Sequence, residues 1–321
     1  MQVKPWFSSQ PSCSFVKLDC YASELNGTEA EATAQWSPFD PEAIVSVVIH
    51  HCPSLEMPSK LAQFSGLKVL KVYNSTISSW QESAGVSQVH HPKLLMLFLV
   101  RVNMTNGELP AGLYRNELPR DLQDIEFCVT NLRILPEDLA LTWPHFATVY
   151  IEASNLTEIP PSLVKLAPRD LSLALNPISS IPAAMLERNP GYLHVGGTLI
   201  SVLPGLVEDI SPTFKIRVDN TNISFFWSWI DIMVEKADGG LLDGVPTILA
   251  SSSPYCLDLQ RIYDGEQTVF SAPKREGQSL LLSDASEENW KTLARAVACD
   301  PWPATYYPIE FEDDFSGIKS A

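Results

Sequence analysis

The strongest constraint on this chain is a spacing that repeats. Six times an aliphatic residue precedes a proline at the same point of a longer pattern: Met57-Pro58, Leu109-Pro110, Leu135-Pro136, Ile159-Pro160, Ile181-Pro182 and Leu203-Pro204. Upstream of each, apolar residues recur as L-x-L-x-x-(polar)-x-L-x-x-L-P. Residues 122–136 (LQDIEFCVTNLRILP), 146–160, 168–182 and 190–204 fit at nearly every position. Residues 67–80 and 213–227 keep the frame but end on Trp80 and Trp227. The polar position is then Cys52, Ser75, Val102, Thr130, Ser154, Asn176, Thr198 and Thr221, at spacings of 23, 27, 28, 24, 22, 22 and 23 residues. No unit this short buries an apolar face alone, so stacking has to supply the core.

Units of 20–29 residues with this pattern are those of leucine-rich repeats. Alternating apolar residues such as Ile125/Phe127, Val149/Ile151 and Leu171/Leu173 predict a short strand with one face inward. The hydroxyl or amide after the strand can bond loop backbone that burial would otherwise leave unsatisfied. The proline, lacking an N–H and with φ preset near −65°, suits an irregular return path. The expected fold is therefore an α/β leucine-rich repeat solenoid. Parallel strands line its curved concave face, irregular or 3-10 segments its convex side, and a helical cap closes its C-terminus. The reading divides the chain into an N-terminal cap (1–42), about eight repeats (43–229) and a C-terminal cap (230–321). Insertions interrupt the third and fourth units around Thr105–Glu108 and Pro110–Asp121.

Within the C-terminal cap, Ser252-Ser253-Pro254 predicts a helix start, with an end near Gly265. A second helix is expected from Asp284 to Cys299, led by an Asp284-x-x-Glu287 capping signal and carrying Trp290, Leu293, Ala294 and Val297 on one side. Cys256 and Cys299, one in each helix, would staple that cap. Near the N-terminus Cys13 and Cys20 could close a short loop, and the spacing leaves Cys20–Cys52 open. Cys128 lies three units from Cys52, beyond the roughly 7 Å that a disulfide allows, and is expected to be free. Five sequons, at Asn26, Asn74, Asn103, Asn155 and Asn222, are candidate N-glycosylation sites, three of them just after the turn position.

A formal charge of −16, from 22 basic and 38 acidic residues, disfavours nucleic acid and anionic lipid as partners. The longest apolar run, Leu94 to Val100, is far short of a membrane span. MQVKPWFSSQ lacks the apolar stretch of a signal peptide. No phosphate loop, zinc helix, C-x-x-C pair or nucleophile elbow occurs, and neither an enzyme nor a cofactor is expected. His50-His51 and His90-His91 look metal-like, but adjacent strand residues point to opposite faces, so no metal site is expected. The acidic stretch Glu310–Asp314 lacks the glycine and spaced oxygens of a calcium loop and reads as a solvated cap segment.

Function then falls to the outward strand positions. One row comprises Val48, Lys71, Phe98, Glu126, Tyr150, Ser172, His194 and Arg217; the next comprises His50, Tyr73, Val100, Cys128, Glu152, Ala174, Gly196 and Asp219. Rigid aromatics beside charges are what binding hot spots favour. Lys71, Tyr73, Phe98, Glu126, Tyr150, Glu152, His194 and Arg217 are the candidate ligand-binding residues.

The stretches HHCPSLEMP (50–58), KVYNSTISSW (71–80), DIEFCVTNLRILP (124–136), NTNISFFWSWID (220–231) and YYPIEFEDDFSGI (306–318) resemble a family of leucine-rich repeat proteins of oomycetes. The likeness runs from about Lys4 to Ile318. In that family such a region follows a membrane-spanning portion and faces away from the cytosol. The resemblance implies an extracellular or extracytoplasmic setting, with the membrane reached only through a segment outside this chain. The expected function is a non-enzymatic recognition module that binds a protein or peptide on the concave sheet. The alternatives are a cytosolic scaffold assembling signalling proteins and a purely structural ectodomain.

Overall fold

The computed structural model describes residues 11–238 and 246–318. The chain forms two compact units, one comprising Met1–Asn155, Pro160–Leu166 and Tyr307–Ala321, the other Leu156–Ile159 and Ala167–Tyr306.

In the first unit the strands are β1 (Phe15–Asp19), β2 (Ser46–His50), β3 (Leu55–Glu56), β4 (Val69–Ser79), β5 (Met96–Met104), β6 (Asp124–Cys128) and β7 (Thr148–Glu152). They pair in parallel in the order β1-β2-β4-β5-β6-β7, with the short β3 against the far end of β4. The second unit carries β8 (Asp170–Ser172), β9 (Tyr192–His194), β10 (Lys215–Arg217), β11 (Ile248–Leu249) and β12 (Val297–Ala298), again parallel neighbours in chain order. The inward column of the first unit, Val47, Leu70, Leu97, Ile125 and Val149, is fully buried. In the second unit Leu171, Leu193, Ile216 and Ile248 do the same. Each such aliphatic contributes roughly 1.5–3 kcal/mol of gross burial, largely offset by ordering the chain.

The prolines open short helical turns on the return path. Pro58, Pro110 and Pro182, at φ −75°, −63° and −68°, are the residues before Ser59–Gln63, Ala111–Leu113 and Ala183–Leu186. The sheet enters both segments read as caps, with β1 in the first and β11 and β12 in the second. In the N-terminal segment a helix, Glu29–Trp36, starts on a reciprocal capping box between Thr28 and Glu31. It buries Trp36 against Phe64, ring centroids 5.3 Å apart.

The cysteine pattern departs from expectation at one end. Cys20 is bonded to Cys52, not to Cys13, which is free. The reason is register: β1 lies along β2, with Asp19 opposite His50, so the two cysteines that follow the strands become neighbours at a Cα separation of 4.9 Å. Cys13 sits at the other end of β1, and at about 3.3 Å per strand residue it is far out of bonding range of Cys20. Gly27, at φ +93°, passes so close that a Cβ there would lie 2.9 Å from the Cys52 Cβ. The second disulfide joins Cys256 to Cys299, Cα 5.6 Å apart. Cys128 is free and buried.

The first C-terminal helix, Pro254–Tyr263, is capped by Ser253, whose hydroxyl accepts from the Cys256 N–H. The second is shorter than expected. A helix spans Trp290–Ala296, and Val297 and Ala298 leave it to pair with β11. Asp284 accepts from Ser286 N at 2.9 Å in a local turn instead of capping that helix. Among the described residues no helix is long and apolar enough to cross a membrane.

Candidate functional site

Each repeat bends its backbone in the same way after the outward rows. His51, Asn74, Arg101, Val129, Ala153, Leu175, Gly197 and Asn220, each the residue before the polar turn position, have φ between 44° and 66°. Side chains other than glycine and asparagine rarely adopt this left-handed conformation. In most repeats a polar side chain at the next position locks the bend; Val102 is the exception. Ser75 Oγ accepts from Cys52 N at 3.0 Å and donates to Tyr73 O at 2.9 Å. Thr198 and Thr221 donate to Val195 O (2.7 Å) and Val218 O (2.6 Å). Asn176 accepts from Leu156 N at 3.0 Å and donates to Leu173 O at 3.0 Å and Ala174 O at 3.2 Å. This column of buried polar side chains satisfies backbone that would otherwise cost about 1–3 kcal/mol per group. The fold is that of leucine-rich repeat proteins.

No model of a known protein family matches the chain. Among curated proteins, a 99-residue stretch is 32% identical to the tRNA(Met) cytidine acetyltransferase TmcA of Photorhabdus asymbiotica, covering 25% of this chain and 14% of that protein. Among solved structures, the chain is similar to one in the Toll–Spatzle complex of Drosophila, at TM-score 0.44 and 17% identity over 66% of this chain and 32% of that one. It is also similar to the leucine-rich repeat protein LIC12759 of Leptospira interrogans, at TM-score 0.42 and 15% identity over 66% and 57% of the two chains. An internalin of Listeria monocytogenes matches at TM-score 0.38 and 14% identity over 66% and 68%.

In the first unit the register aligns two outward rows. Lys17, Val48, Lys71, Phe98, Glu126 and Tyr150 form one, and Asp19, His50, Tyr73, Val100, Cys128 and Glu152 the other. These rows carry six of the eight candidate ligand-binding residues, Lys71, Tyr73, Phe98, Glu126, Tyr150 and Glu152, but they are not open to solvent. Residues 307–313 lie on them. The Lys71 ammonium pairs with Glu312, and the Tyr73 hydroxyl donates to Asp313 Oδ1 at 2.8 Å. The Arg101 guanidinium grips the same carboxylate, its Nε 2.6 Å from Oδ1. Tyr307 donates its backbone N–H to Glu152 at 3.1 Å and its hydroxyl to Glu312 at 2.6 Å. Its ring sits 6.1 Å from that of Phe98 and 5.9 Å from the Lys71 ammonium. Tyr73, Val100, Cys128 and Tyr307 form a small buried core, with Phe98, Val129 and Ile309 packed against it.

The acidic segment read as solvated is therefore engaged through Glu312 and Asp313, while Glu310 and Asp314 remain exposed. The physical reason is complementarity: the chain is acidic overall, but Lys71 and Arg101 put two cations on this face. Arg101 escaped the sequence reading because the outward rows stop at Val100, and Arg101 follows it within β5 in the left-handed conformation, off the alternation.

The electrostatics follow the contacts. The Arg101 hydrogen bonds hold the Asp313 carboxyl below the usual range despite partial burial. Burial opposes ionisation of Glu312, yet the hydrogen bond from Lys71 brings its pKa below normal as well. Burial, then Asp313, pushes the Tyr73 phenol up to about 12. Burial and the nearby carboxylates, Glu152 first, push the Cys128 thiol up to about 12. Glu126 is raised by burial and then by Asp124.

In the second unit the remaining two candidates, His194 and Arg217, are 0% and 1% exposed. Tyr306 packs on His194, ring centroids 5.0 Å apart, and lies under the Arg217 guanidinium at 5.6 Å. Arg217 bonds Asp219 at 2.6 Å and the Pro303 carbonyl. His194 bridges Ser172 Oγ at 3.1 Å and Asp219 Oδ1 at 3.5 Å. The serine, histidine and aspartate match a hydrolase triad only in composition: the serine is on Nδ1 and the aspartate on Nε2, the reverse of that arrangement, and the three are 0%, 0% and 2% exposed.

The expectation that each histidine pair sits on a strand and faces apart fails for both. His90 and His91 lie outside any strand, His90 in a turn, with ring centroids 6.3 Å apart. His91 is buried, its Nε2 2.9 Å from Leu61 O and its Nδ1 accepting from Ser87 N at 3.3 Å. His51 follows β2 in the left-handed conformation, and the His50 and His51 ring centroids are 5.4 Å apart. Burial and the nearby Lys17 lower the His50 pKa to about 4, so its imidazole is neutral at physiological pH. The five sequon asparagines, Asn26, Asn74, Asn103, Asn155 and Asn222, are all exposed.

Proposed function

We propose that this chain is a non-enzymatic protein-recognition module whose binding face is the outer surface of β1–β7, closed in cis by residues 307–316. The observation that carries this reading is the way Tyr307, Glu312 and Asp313 use Tyr73, Phe98, Lys71 and Arg101. A buried aromatic anchor beside paired charges is the composition of a recognition hot spot, and here the chain itself supplies the occupant. The external partner is a protein segment of the same chemistry, acidic with a tyrosine or phenylalanine, that displaces the internal one. An internal segment docked by about 3 kcal/mol weakens a competing ligand by roughly a hundredfold, which makes the face a gated one.

The test uses the full chain carrying Tyr307→Ala and Asp313→Asn, with a fluorescent peptide of residues 305–316 added in trans. The variant is expected to bind the peptide about a hundredfold more tightly than the parent, and Lys71→Glu in that background is expected to abolish binding. A folded variant that takes up no peptide would refute the reading and leave the segment as permanent architecture.

We further propose an extracytoplasmic setting, with any membrane attachment outside this chain. Two disulfides and five exposed sequons support it, since disulfides persist in oxidising compartments. Enzymatic removal of N-glycans from the native protein should lower its mass. All six cysteines alkylating without reduction would count decisively against this setting.

A further inference from the structure

β2 ends at His50, and the left-handed backbone of His51 (φ 56°) returns the next imidazole to its neighbour. Asp19 is the register partner of His50 across β1 and β2, and adds a carboxylate. One ligand atom from each of the three lies within 4.8 Å of both others. For any triangle whose sides do not exceed 4.8 Å, some point lies within about 2.8 Å (4.8/√3) of all three corners. Bonds of about 2.0–2.2 Å to zinc are then reached by moving each donor about 0.6–0.8 Å. Side-chain rotation alone can supply such shifts.

His50 provides an independent indication. It is 5% exposed, and neither of its ring nitrogens has a hydrogen-bond partner among the described residues. His91, buried to a similar depth, satisfies both of its nitrogens. His51 carries the outer support that metal-binding histidines need, because the Asn74 side-chain amide lies 2.9 Å from its Nδ1. With the amide oxygen turned to the ring, Nδ1 donates and Nε2 keeps its lone pair for a cation.

We propose that Asp19, His50 and His51 form a binding site for a divalent transition-metal cation, with Zn²⁺ as its reference ion. Two imidazoles and one carboxylate suit zinc and leave a fourth position for water or a partner's side chain. Asp19 Oδ1 accepts from Ala22 N at 3.1 Å, and the Lys17 ammonium, 2.9 Å from Oδ2, is the resident competing cation for that carboxylate. It gives the proposal a signature that non-specific binding to histidine lacks: removing Lys17 should tighten the site.

The experiment is calorimetric titration of the metal-free full chain with Zn²⁺, with Co²⁺ absorption as a second readout. One equivalent is expected to bind. His51→Asn, chosen because asparagine tolerates a positive φ, should abolish that equivalent while the fold is retained. Asn74→Ala should weaken it by about 10–100-fold, Lys17→Met should strengthen it, and His90→Ala should leave it unchanged. Absence of stoichiometric binding by the parent chain overturns the proposal, as does binding that survives His51→Asn or falls with His90→Ala.

Discussion

Truncating Tyr307 to alanine should release the C-terminal segment from the sheet without unfolding the unit beneath it. Tyr307 is 6% exposed, packs on Phe98 and Lys71, and ties Glu152 and Glu312 to itself. Removing a buried aromatic from a core costs about 3–5 kcal/mol. Here the loss is capped by the docking free energy, because residues 307–316 can leave the sheet and be solvated while the strands beneath them stay paired. Taking about 3 kcal/mol, the open population rises by roughly a hundredfold. Tyr307→Phe keeps the ring and loses only the charge-assisted bond to Glu312; at the lower end of the range for such bonds, about 1.5 kcal/mol, it should open the segment roughly tenfold. Native-state hydrogen exchange read by mass spectrometry separates the two effects. Peptides covering 307–316 should exchange faster in the order alanine, phenylalanine, parent, while those covering β5 and β6 stay protected. Equal acceleration across all of these peptides would mean that the segment unfolds only with the whole unit, and the gating argument would fail.

Acid should open the same contact. Glu312 and Asp313 have folded-state pKa values below their unfolded ones, so their stabilisation is complete above the ordinary carboxylate range and is lost as pH falls through the folded values. Protection of 307–316, corrected for the intrinsic pH dependence of amide exchange, should therefore fall on acidification below about pH 4, and Asp313→Asn should flatten that fall. Replacing Cys20 and Cys52 by serine reopens a loop of sequence separation 32 and should cost about 3–4 kcal/mol in urea denaturation; a loss under about 1 kcal/mol would show that the β1–β2 pairing alone fixes that end. Asn176→Ala removes the acceptor of Leu156 N and the donor to Leu173 O and Ala174 O at a site 1% exposed. It should destabilise the second unit by about 2–4 kcal/mol, whereas alanine at the exposed Asn155 should be close to neutral.

Much of the fold was legible because it is local and periodic. Alternation at Ile125/Phe127 or Leu171/Leu173 specifies which face of a strand is buried, and repetition carries that specification along the chain. The polar turn column was readable for the same reason, since a buried hydroxyl or amide beside a loop has few uses other than satisfying backbone. The left-handed residue before it left little trace. Only His51, Asn74, Gly197 and Asn220 among the eight are residue types enriched at positive φ, and Val129 argues against it. The conformation is imposed by hydrogen bonds from neighbouring repeats, as in His51 N to Tyr73 O at 3.1 Å. The same non-local pairing drew Val297 out of a predicted helix and Cys20 away from Cys13.

The sequence by itself determined that apolar columns stack into a parallel sheet, and which side chains of Lys71, Tyr73, Phe98 and Glu152 face outward from it. Periodicity is enough for that, because a period-two strand has only two faces. What covers those outward side chains was decided only in three dimensions. Residues 307–316 are more than two hundred positions from Lys71, and no spacing rule links an acidic stretch to a distant lysine and arginine. Tertiary structure brings the charges together because burial makes each of them depend on the other. The His50–His51 pair belongs to the same class, since a single left-handed residue, fixed by the next strand, turns two histidines expected to diverge into neighbours.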